Sequence, residues 1–313
     1  MINAIRAAIF LIAAALPALL CGPAHAASPH PAPLRIVSLY PGHTDNIVAL
    51  GAGDRLVAAS RDDGPAFLPF LPGSPGSPGS PDLPRLPPRV DAEAVLAFRP
   101  DAVFLRSLVE RMNPHLTEVL ERAGVAVHVI DPPSWDEFEG YLTRLAGILG
   151  TDPEEARRRL AAARGAVADA AKTAAVRGMR APRVFLEATS KELHTCAPDS
   201  WAARLIRLSG GVNAASSATP LREGSALASW GVERVLATAE SLDVYLVQQG
   251  PMNAASPEEI RSRPWGAVLK NVSLAAVPER LLSRPSLLGL EKGGALLTEI
   301  FGSAASSAGP GSE

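Results

Sequence analysis

The 313-residue sequence has little cysteine, few aromatic side chains and almost no net charge. It contains two cysteines, Cys21 and Cys196, and aromatic residues make up 5% of it. A formal net charge of -2 gives no reason to expect nucleic acid or an anionic membrane as a partner. Beyond residue 26 no apolar run is long enough to span a bilayer. The 47% hydrophobic content is ample for one large or two ordinary domains.

Residues 1–26 have the pattern of a secretory signal peptide, which predicts a periplasmic protein. Arg6 supplies a positive charge, Ala7–Leu20 is apolar, and Ala24-His-Ala26 is a small-x-small cleavage pattern. Cleavage there removes Cys21 and leaves Cys196 without a partner for an intramolecular disulfide. The alternative is a lipoprotein acylated at Cys21, but leucine precedes that cysteine where a small residue is needed.

Short apolar runs alternate with helical patterns through residues 33–150, which predicts a largely parallel α/β sheet. Helices are expected from about Thr44 to Leu50 and from about Pro114 to Ala123. Within this lobe, residues 69–88 contain a Pro-Gly-Ser repeat that we interpret as an exposed insertion. The predicted strands are Leu34–Leu39, Arg55–Ser60, Asp101–Leu105 and Val125–Ile130.

A long helix is predicted over residues 151–178. Asp152 is a plausible N-cap, Pro153 suits the first helical position, and about 26 residues would span about 39 Å. The alternation resumes over residues 182–302, and residues 303–313 are predicted to be a disordered tail. The predicted fold is α/β, with two doubly wound α/β lobes bridged by one long α-helix and a ligand cleft between the lobes.

The two lobes share a local pattern. Glu93-Ala-Val-Leu-Ala precedes a strand that begins near Asp101, and Glu233-Arg-Val-Leu-Ala precedes one near Asp243. Each glutamate would therefore lie near the start of an equivalent short helix. On the residues alone, both could simply favour the positive helix N-terminus, an effect worth under about 1 kcal/mol each.

Three segments resemble the substrate-binding proteins of ABC importers, in the cobalamin, ferric-siderophore and haem receptor class. They are RIVSLYPGHTDNIVALGAGDRLVAAS (35–60), VDAEAVLAFRPDAVF (90–104) and CAPDSWAARLIRLSGGVNAA (196–215). The sequence departs from the family pattern at Ala59, at Gly42-His43 and in the Pro-Gly-Ser insertion. The resemblance implies a protein that captures a metal chelate (a corrinoid, ferric siderophore or haem) and is not an enzyme.

The same resemblance implies partners and a way of meeting them. The partners would be an inner-membrane ABC permease dimer with its ATPase, and a small-molecule metal chelate. Glu93 and Glu233 would dock onto arginines of the permease, one from each lobe. We expect a monomer with no cofactor of its own, although the bound ligand would carry iron or cobalt.

In doubly wound lobes, ligands bind beyond the carboxyl ends of the strands. The arginines that follow strands suit an anionic chelate or a carboxylate, and the amide and thioether suit a large ligand of mixed polarity. His43 and His194 could coordinate the metal of a chelate. The candidate ligand residues are Tyr40, His43, Arg61, Arg106, Arg111, His194, Gln248, Met252 and Arg284.

Other interpretations of these residues remain open. A receptor for a free transition-metal ion would need His43 and His194 with further ligands, for which Asp62, Asp63 and Glu110 are the candidates.

Cys196 and His194 suggest a secreted hydrolase or transferase, although no third group that would orient them is evident. Trp201 and Trp230 could line the cleft or belong to the core, and Trp230 is the better surface candidate.

Overall fold

The computed structural model describes residues 34–61, 83–190 and 192–307. The predicted signal peptide, Asp62, Asp63 and the Pro-Gly-Ser repeat lie outside these ranges. None of the helices in the described ranges combines the length and apolar character that a bilayer span requires.

The N-terminal lobe is a parallel sheet of five strands in the order β3-β2-β1-β4-β5. All residues of β1 and β4 are buried, as the apolar runs predict. A 3₁₀ turn, Gly53–Arg55, precedes the second strand. The elements are β1 (Ile36–Ser38), α1 (Pro41–Ala49), β2 (Leu56–Ser60), β3 (Arg85–Leu86), α2 (Ala92–Leu96), β4 (Ala102–Leu105), α3 (Ser107–Met112), α4 (Leu116–Arg122), β5 (Ala126–Val129) and α5 (Phe138–Leu149).

Helix α1 begins earlier than the sequence pattern predicts. It starts at Pro41, because proline is pre-set for the first helical position and Tyr40 before it is extended. Thr44 therefore lies inside the helix, where its hydroxyl donates to the Ser38 hydroxyl at 2.8 Å. The predicted start at Thr44 is wrong by one turn.

Two further predictions in this lobe need correction. The end of the supposed insertion, residues 83–88, is not an exposed loop: Arg85–Leu86 form β3 beside β2, and Leu83 and Leu86 are buried. The second concerns the segment from Arg106 to Arg111, which follows a predicted strand but is mostly helix α3 and not a loop. Short apolar segments of this kind lack the periodicity that would reveal them before their packing partners are known.

The predicted long helix is α6 (Pro153–Val176), which has 24 residues and so spans about 36 Å. The Asp152 carboxylate caps it by accepting from the Glu154 amide at 2.9 Å. Its buried residues, Ala156, Leu160, Ala163 and Val167, form a single stripe at a spacing of three or four. This stripe explains why a helix rich in charge stays attached along one face.

The C-terminal lobe has a parallel sheet in the order β12-β11-β6-β8 and a small antiparallel sheet, β7-β10-β9. Short 3₁₀ or π turns are Ala239–Ser241, Gly266–Leu269 and Gly289–Gly293. The elements are β6 (Arg183–Glu187), β7 (Thr195–Cys196), α7 (Trp201–Leu208), β8 (Val212–Asn213), β9 (Thr219–Pro220), β10 (Leu227–Ser229), α8 (Val232–Thr238), β11 (Val244–Gln249), α9 (Pro257–Ser262), β12 (Ser273–Pro278), α10 (Glu279–Leu282) and α11 (Gly294–Ser307).

The predicted disordered tail is wrong for residues 303–307. Helix α11 continues to Ser307, and Ala304 packs into the main core at 8% exposure. Residues 308–313 lie outside the described ranges.

The two lobes repeat one topology around the predicted glutamates. Helix α2 leads into β4, which pairs with β1, and α8 leads into β11, which pairs with β6. In each helix a valine two residues after the glutamate is buried, Val95 in one and Val235 in the other, while Glu93 and Glu233 are exposed. The glutamates therefore occupy matching places.

A continuous hydrophobic core joins the lobes, with Ile36 and Phe104 of one and Val184, Leu205 and Leu297 of the other in the same cluster. Polar contacts reinforce it at α1. Two bonds of 2.9 Å join Arg280 Nε to the two oxygens of Asp45, and both side chains are almost fully buried.

The neighbouring residue, Asn46, adds two bonds across the same junction. Its amide donates to the Pro285 carbonyl at 3.1 Å, and its oxygen accepts from the Leu287 amide at 3.0 Å. Helix α1 of the first lobe is thus bonded directly to the segment 280–287 of the second.

Breaking the Asp45–Arg280 pair should lower the unfolding free energy of the protein. Arg280→Met leaves the Asp45 carboxylate buried without its cation, which we expect to cost about 3–5 kcal/mol of unfolding free energy in urea. The control Arg158→Met breaks an exposed pair and should cost far less, because solvent screens the two charges. Asp45→Leu/Arg280→Met should be less destabilised than Arg280→Met alone. Equal losses for Arg280→Met and Arg158→Met would contradict this assignment.

Candidate ligand-binding site

Tyr40 lies between the lobes, at the carboxyl end of β1, and is half-buried. The Arg106 guanidinium carbon is 5.3 Å from the centre of its ring. Gly42 allows the ring to fold back on the first turn of α1, because a Cβ at residue 42 would lie 2.5 Å from Tyr40 Cε1. Alanine at this position would therefore displace the ring.

Arg106 follows β4 and precedes α3. Its Nε is buried and has no hydrogen-bond partner among the residues that the structure describes. The next residue, Ser107, donates its amide and its hydroxyl to the two oxygens of Asp131, at 2.9 and 2.6 Å. The hydrogen bonds from Ser107 hold the pKa of Asp131 below its usual range. The chain segments that leave β4 and β5 are therefore tied together beside Tyr40.

The second lobe contributes Arg284 and Glu279, which form a paired contact with both N–O distances at 3.3 Å. Both side chains are largely buried, and within the described ranges Arg284 Nη1 has no hydrogen-bond partner. Gly250 makes room for the carboxylate, since a Cβ there would lie 2.5 Å from Glu279 Oε2.

Helix α1, which begins after Tyr40, contacts the residue that follows Arg284, since the Asn46 amide donates to the Pro285 carbonyl at 3.1 Å. Burial raises the pKa of the Tyr40 phenol, Arg106 and Arg284 lower it, and Glu279 and Asp45 raise it again. The net effect is a pKa above the ordinary value, so Tyr40 is a neutral phenol at pH 7. Tyr40, Arg106 and Arg284 are the predicted site residues that the fold brings together.

His43 does not face the cleft, contrary to the prediction from its place beside the Pro-Gly corner. Its side chain is fully buried, 2.9 Å from Tyr141 Oη through Nδ1 and 2.9 Å from the Ile130 carbonyl through Nε2. Because a carbonyl only accepts, Nε2 carries the proton and Nδ1 accepts from Tyr141. Both ring nitrogens are thus committed within the core, so neither is offered to a metal.

The remaining candidates are dispersed. His194 directly follows a turn in the second lobe, and its Nε2 is 3.2 Å from a Glu192 oxygen. Gln248 is buried and its side-chain oxygen accepts from the Ser283 hydroxyl, so it supports the loop and does not project into the cleft. Met252 is 51% exposed. Arg61 and Arg111 are exposed too, and no ion pair joins either to a residue in the described ranges.

Neither of the two candidate tryptophans, Trp201 and Trp230, lies on the surface. Trp201 packs against Trp135 and Phe138, with ring centres 4.7 Å apart in both pairs. Trp230, the better surface candidate of the two, is 8% exposed within the core of the second lobe, so the core interpretation holds for it as well.

The geometry gives little support to a receptor for a free metal ion or to an enzyme with Cys196 as its nucleophile. In residues 34–61, 83–190 and 192–307, no group of three or more His, Cys, Asp or Glu side chains could hold a metal ion. Cys196 is buried in β7, and burial raises the pKa of its thiol to about 11. A thiol in that state is a poor nucleophile at neutral pH.

Sequence reasoning missed Glu279, Gly250, Ser107 and Asp131. Asp131 carries a usable signal, because it comes directly after a predicted strand at the edge where ligands bind. Glu279 has no comparable signal, since it follows β12, a strand that the sequence pattern did not reveal.

Two α/β lobes with side chains that converge from the carboxyl ends of parallel strands define a two-lobed ligand-binding protein. The chain belongs to the periplasmic binding protein family, whose sequence profile matches residues 36–270. Members of this family and the structural neighbours are binding proteins, not enzymes. No curated protein sequence matches the chain significantly.

Solved structures with the same fold include three periplasmic proteins. The haem-binding protein RhuT from Roseiflexus sp. RS-1 is 24% identical with a TM-score of 0.62, over 87% of this chain and 99% of that one. The vitamin B12-binding protein BtuF of Vibrio cholerae is 21% identical with a TM-score of 0.55, over 87% and 98%. A periplasmic binding protein from Veillonella parvula is 16% identical with a TM-score of 0.66, over 86% and 92%.

The buried His43 should make stability depend on pH. Burial lowers the pKa of His43 to about 4, so between pH 6.5 and 4 the unfolded chain binds a proton that the folded chain does not. Unfolding free energy should therefore fall as the pH falls through this window, by about 3 kcal/mol from this group.

Urea unfolding of His43→Gln at pH 7.5, 6 and 4.5 tests this dependence. The variant should be less stable than the wild type at pH 7.5, and the difference should shrink towards pH 4.5. His115→Gln, at an exposed histidine, should follow the wild type throughout. A His43→Gln deficit that stays constant with pH would refute the assignment.

Proposed function

We propose that this protein is the periplasmic solute-binding component of an ABC importer. It captures a metal chelate (a corrinoid, ferric siderophore or haem) in the cleft and delivers it to an inner-membrane permease. Its mechanism is binding, with no chemical step. The periplasmic location agrees with the family and with the predicted signal peptide at residues 1–26.

The observation that carries this proposal is the convergence of Tyr40 and Arg106 of one lobe with Arg284 of the other, in a chain of this family. Contacts from both lobes suit a ligand large enough to bridge them. The haem and vitamin B12 named for the structural neighbours are ligands of that size and chemistry. The candidate ligand residues of both lobes are anchored in one hydrophobic core. We therefore expect the lobes to open and close by only a small movement.

Glu93 and Glu233 are proposed to dock onto arginines of the permease dimer. Their matching, exposed places on α2 and α8 support this role, as does the resemblance to ABC importer components. Glu233 also borders a surface groove of about 460 Å³ that includes Leu193 and Trp265. Exposed charges of this kind contribute more to registry and association rate than to affinity.

A receptor for a free transition-metal ion is the second candidate. Of its predicted metal ligands, His43 is buried in the core with both ring nitrogens engaged. Asp62 and Asp63 lie outside the described residues. His194, paired with Glu192, would be the remaining histidine. These observations favour a chelate over a bare ion.

Purifying the mature protein from periplasm should yield a bound chelate. We expect visible absorbance bands from a haem, corrinoid or ferric siderophore, together with a matching mass in the extracted ligand. The contrary result is a colourless protein whose melting temperature rises with free divalent metal and with no chelate.

Charge reversal at both proposed docking residues should separate delivery from capture. Glu93→Arg/Glu233→Arg should lower uptake in cells by about tenfold or more, because like charges would oppose the permease arginines. Affinity of the purified protein for its chelate should stay within about twofold, since neither residue belongs to the proposed cleft.

Glu139→Arg/Glu240→Arg is the matched control, with one exposed glutamate from each lobe away from α2 and from the start of α8. It should leave both uptake and affinity unchanged. Wild-type uptake in the Glu93→Arg/Glu233→Arg protein would reject the docking role.

A further inference from the structure

The groups that meet at Tyr40 offer hydrogen-bond donors in excess of acceptors. Arg106 Nε and Arg284 Nη1 are buried and have no partner in the part of the chain that the structure describes. Among the described residues the Arg106 guanidinium takes part in no ion pair, and the Tyr40 hydroxyl in no hydrogen bond. A buried donor left unpaired costs about 1–3 kcal/mol.

The acceptors nearby are already engaged. Glu279 accepts two hydrogen bonds from Arg284, and Asp131 accepts two from Ser107. A neutral ligand rich in amides would need acceptors as well as donors, because each amide N–H₂ must find a partner. A ligand oxygen that only accepts is the better match to this set.

Deepening the proposed function, on which this rests, we infer that the ligand places an anionic oxygen group of the carboxylate class over Tyr40, between Arg106 and Arg284. Guanidinium groups bind carboxylates with charge-assisted, often bidentate, hydrogen bonds. The half-buried setting weakens screening by salt. The cleft therefore selects chelates that carry carboxylates over chelates that do not.

Two features hold the donors in place before any ligand arrives. Glu279 is a positioning residue, because its carboxylate orients Arg284 while leaving Nη1 free. Gly250 and Gly42 leave the space into which Glu279 and the Tyr40 ring fit. Preformed donors lower the ordering cost of binding.

Paired probes test the inference on the purified mature protein by fluorescence titration. The pair haemin and haemin dimethyl ester differs only in free carboxylates. Ferric citrate adds a second carboxylate chelate, while ferrichrome and cyanocobalamin carry no carboxylate. We expect at least one carboxylate probe to bind, and to bind at least about tenfold more tightly than its ester or than the two carboxylate-free probes.

Variants assign the effect to residues. Arg106→Gln and Arg284→Gln should each weaken the carboxylate probe about 10- to 100-fold, the range for a hydrogen bond to a charged group. Their affinity for the carboxylate-free probes should fall by a smaller factor, because no charge-assisted hydrogen bond is lost with those probes. Arg144→Gln removes an exposed cation from the lobe that contains Arg106 and should leave the affinity for every probe unchanged. Glu279→Gln should reduce the preference for acid over ester, a ratio that a merely structural role would leave intact.

The outcomes separate this inference from the proposed function. Tight binding of ferrichrome, cyanocobalamin or the ester, with weaker binding of the carboxylate probes, overturns the carboxylate site and keeps the chelate receptor. Equal affinity for acid and ester, or full affinity in Arg106→Gln and Arg284→Gln, overturns it too. Binding of no chelate at all overturns the proposed function, and the inference with it.

Discussion

The buried ion pair between Asp45 and Arg280 sets the geometry on which the candidate site depends. Asp45 lies on the helix whose N-cap is Tyr40, and Arg280 lies four residues before Arg284. A shift of α1 against the segment 280–287 would therefore move Tyr40 and Arg284 apart. Because both charges are almost fully buried, the pair tolerates few alternative arrangements. It acts as a register between the lobes more than as a source of stability.

The rest of the junction gives this register a stiff frame. A single apolar core runs through both lobes, and α6 packs against it along one buried stripe. Arg159 of α6 forms a paired contact with Glu291 of the second lobe and also donates to the Ala49 carbonyl of the first. The lobes are thus joined by more than the single long helix, which agrees with a receptor whose capture step involves little rearrangement.

Polar residues near the cleft divide into two kinds. His43 and Gln248 form their hydrogen bonds with other residues of the protein and stabilise the chain beneath the cleft. Arg106, which packs on the Tyr40 ring, and Arg284, which pairs with Glu279, each keep a buried donor that no described residue accepts from. This difference depends on which acceptors the fold brings near each side chain, and residue type alone does not reveal it. The same division explains why the first group stabilises the fold while the second is available to a ligand.

The sequence by itself determined the strand–helix alternation, the capped long helix and the matching places of Glu93 and Glu233, because these depend on local periodicity and end signals. It also indicated Tyr40, Arg106 and Arg284, since residues that follow parallel strands share one sheet edge. Only the tertiary structure decided that His43 is buried against Tyr141, which lies 98 residues away along the chain. The same holds for Asp45 and Arg280, which are 235 residues apart. The His43 contact arises from packing within the first lobe and the Asp45 pair from packing between the lobes. No local pattern encodes contacts over such separations.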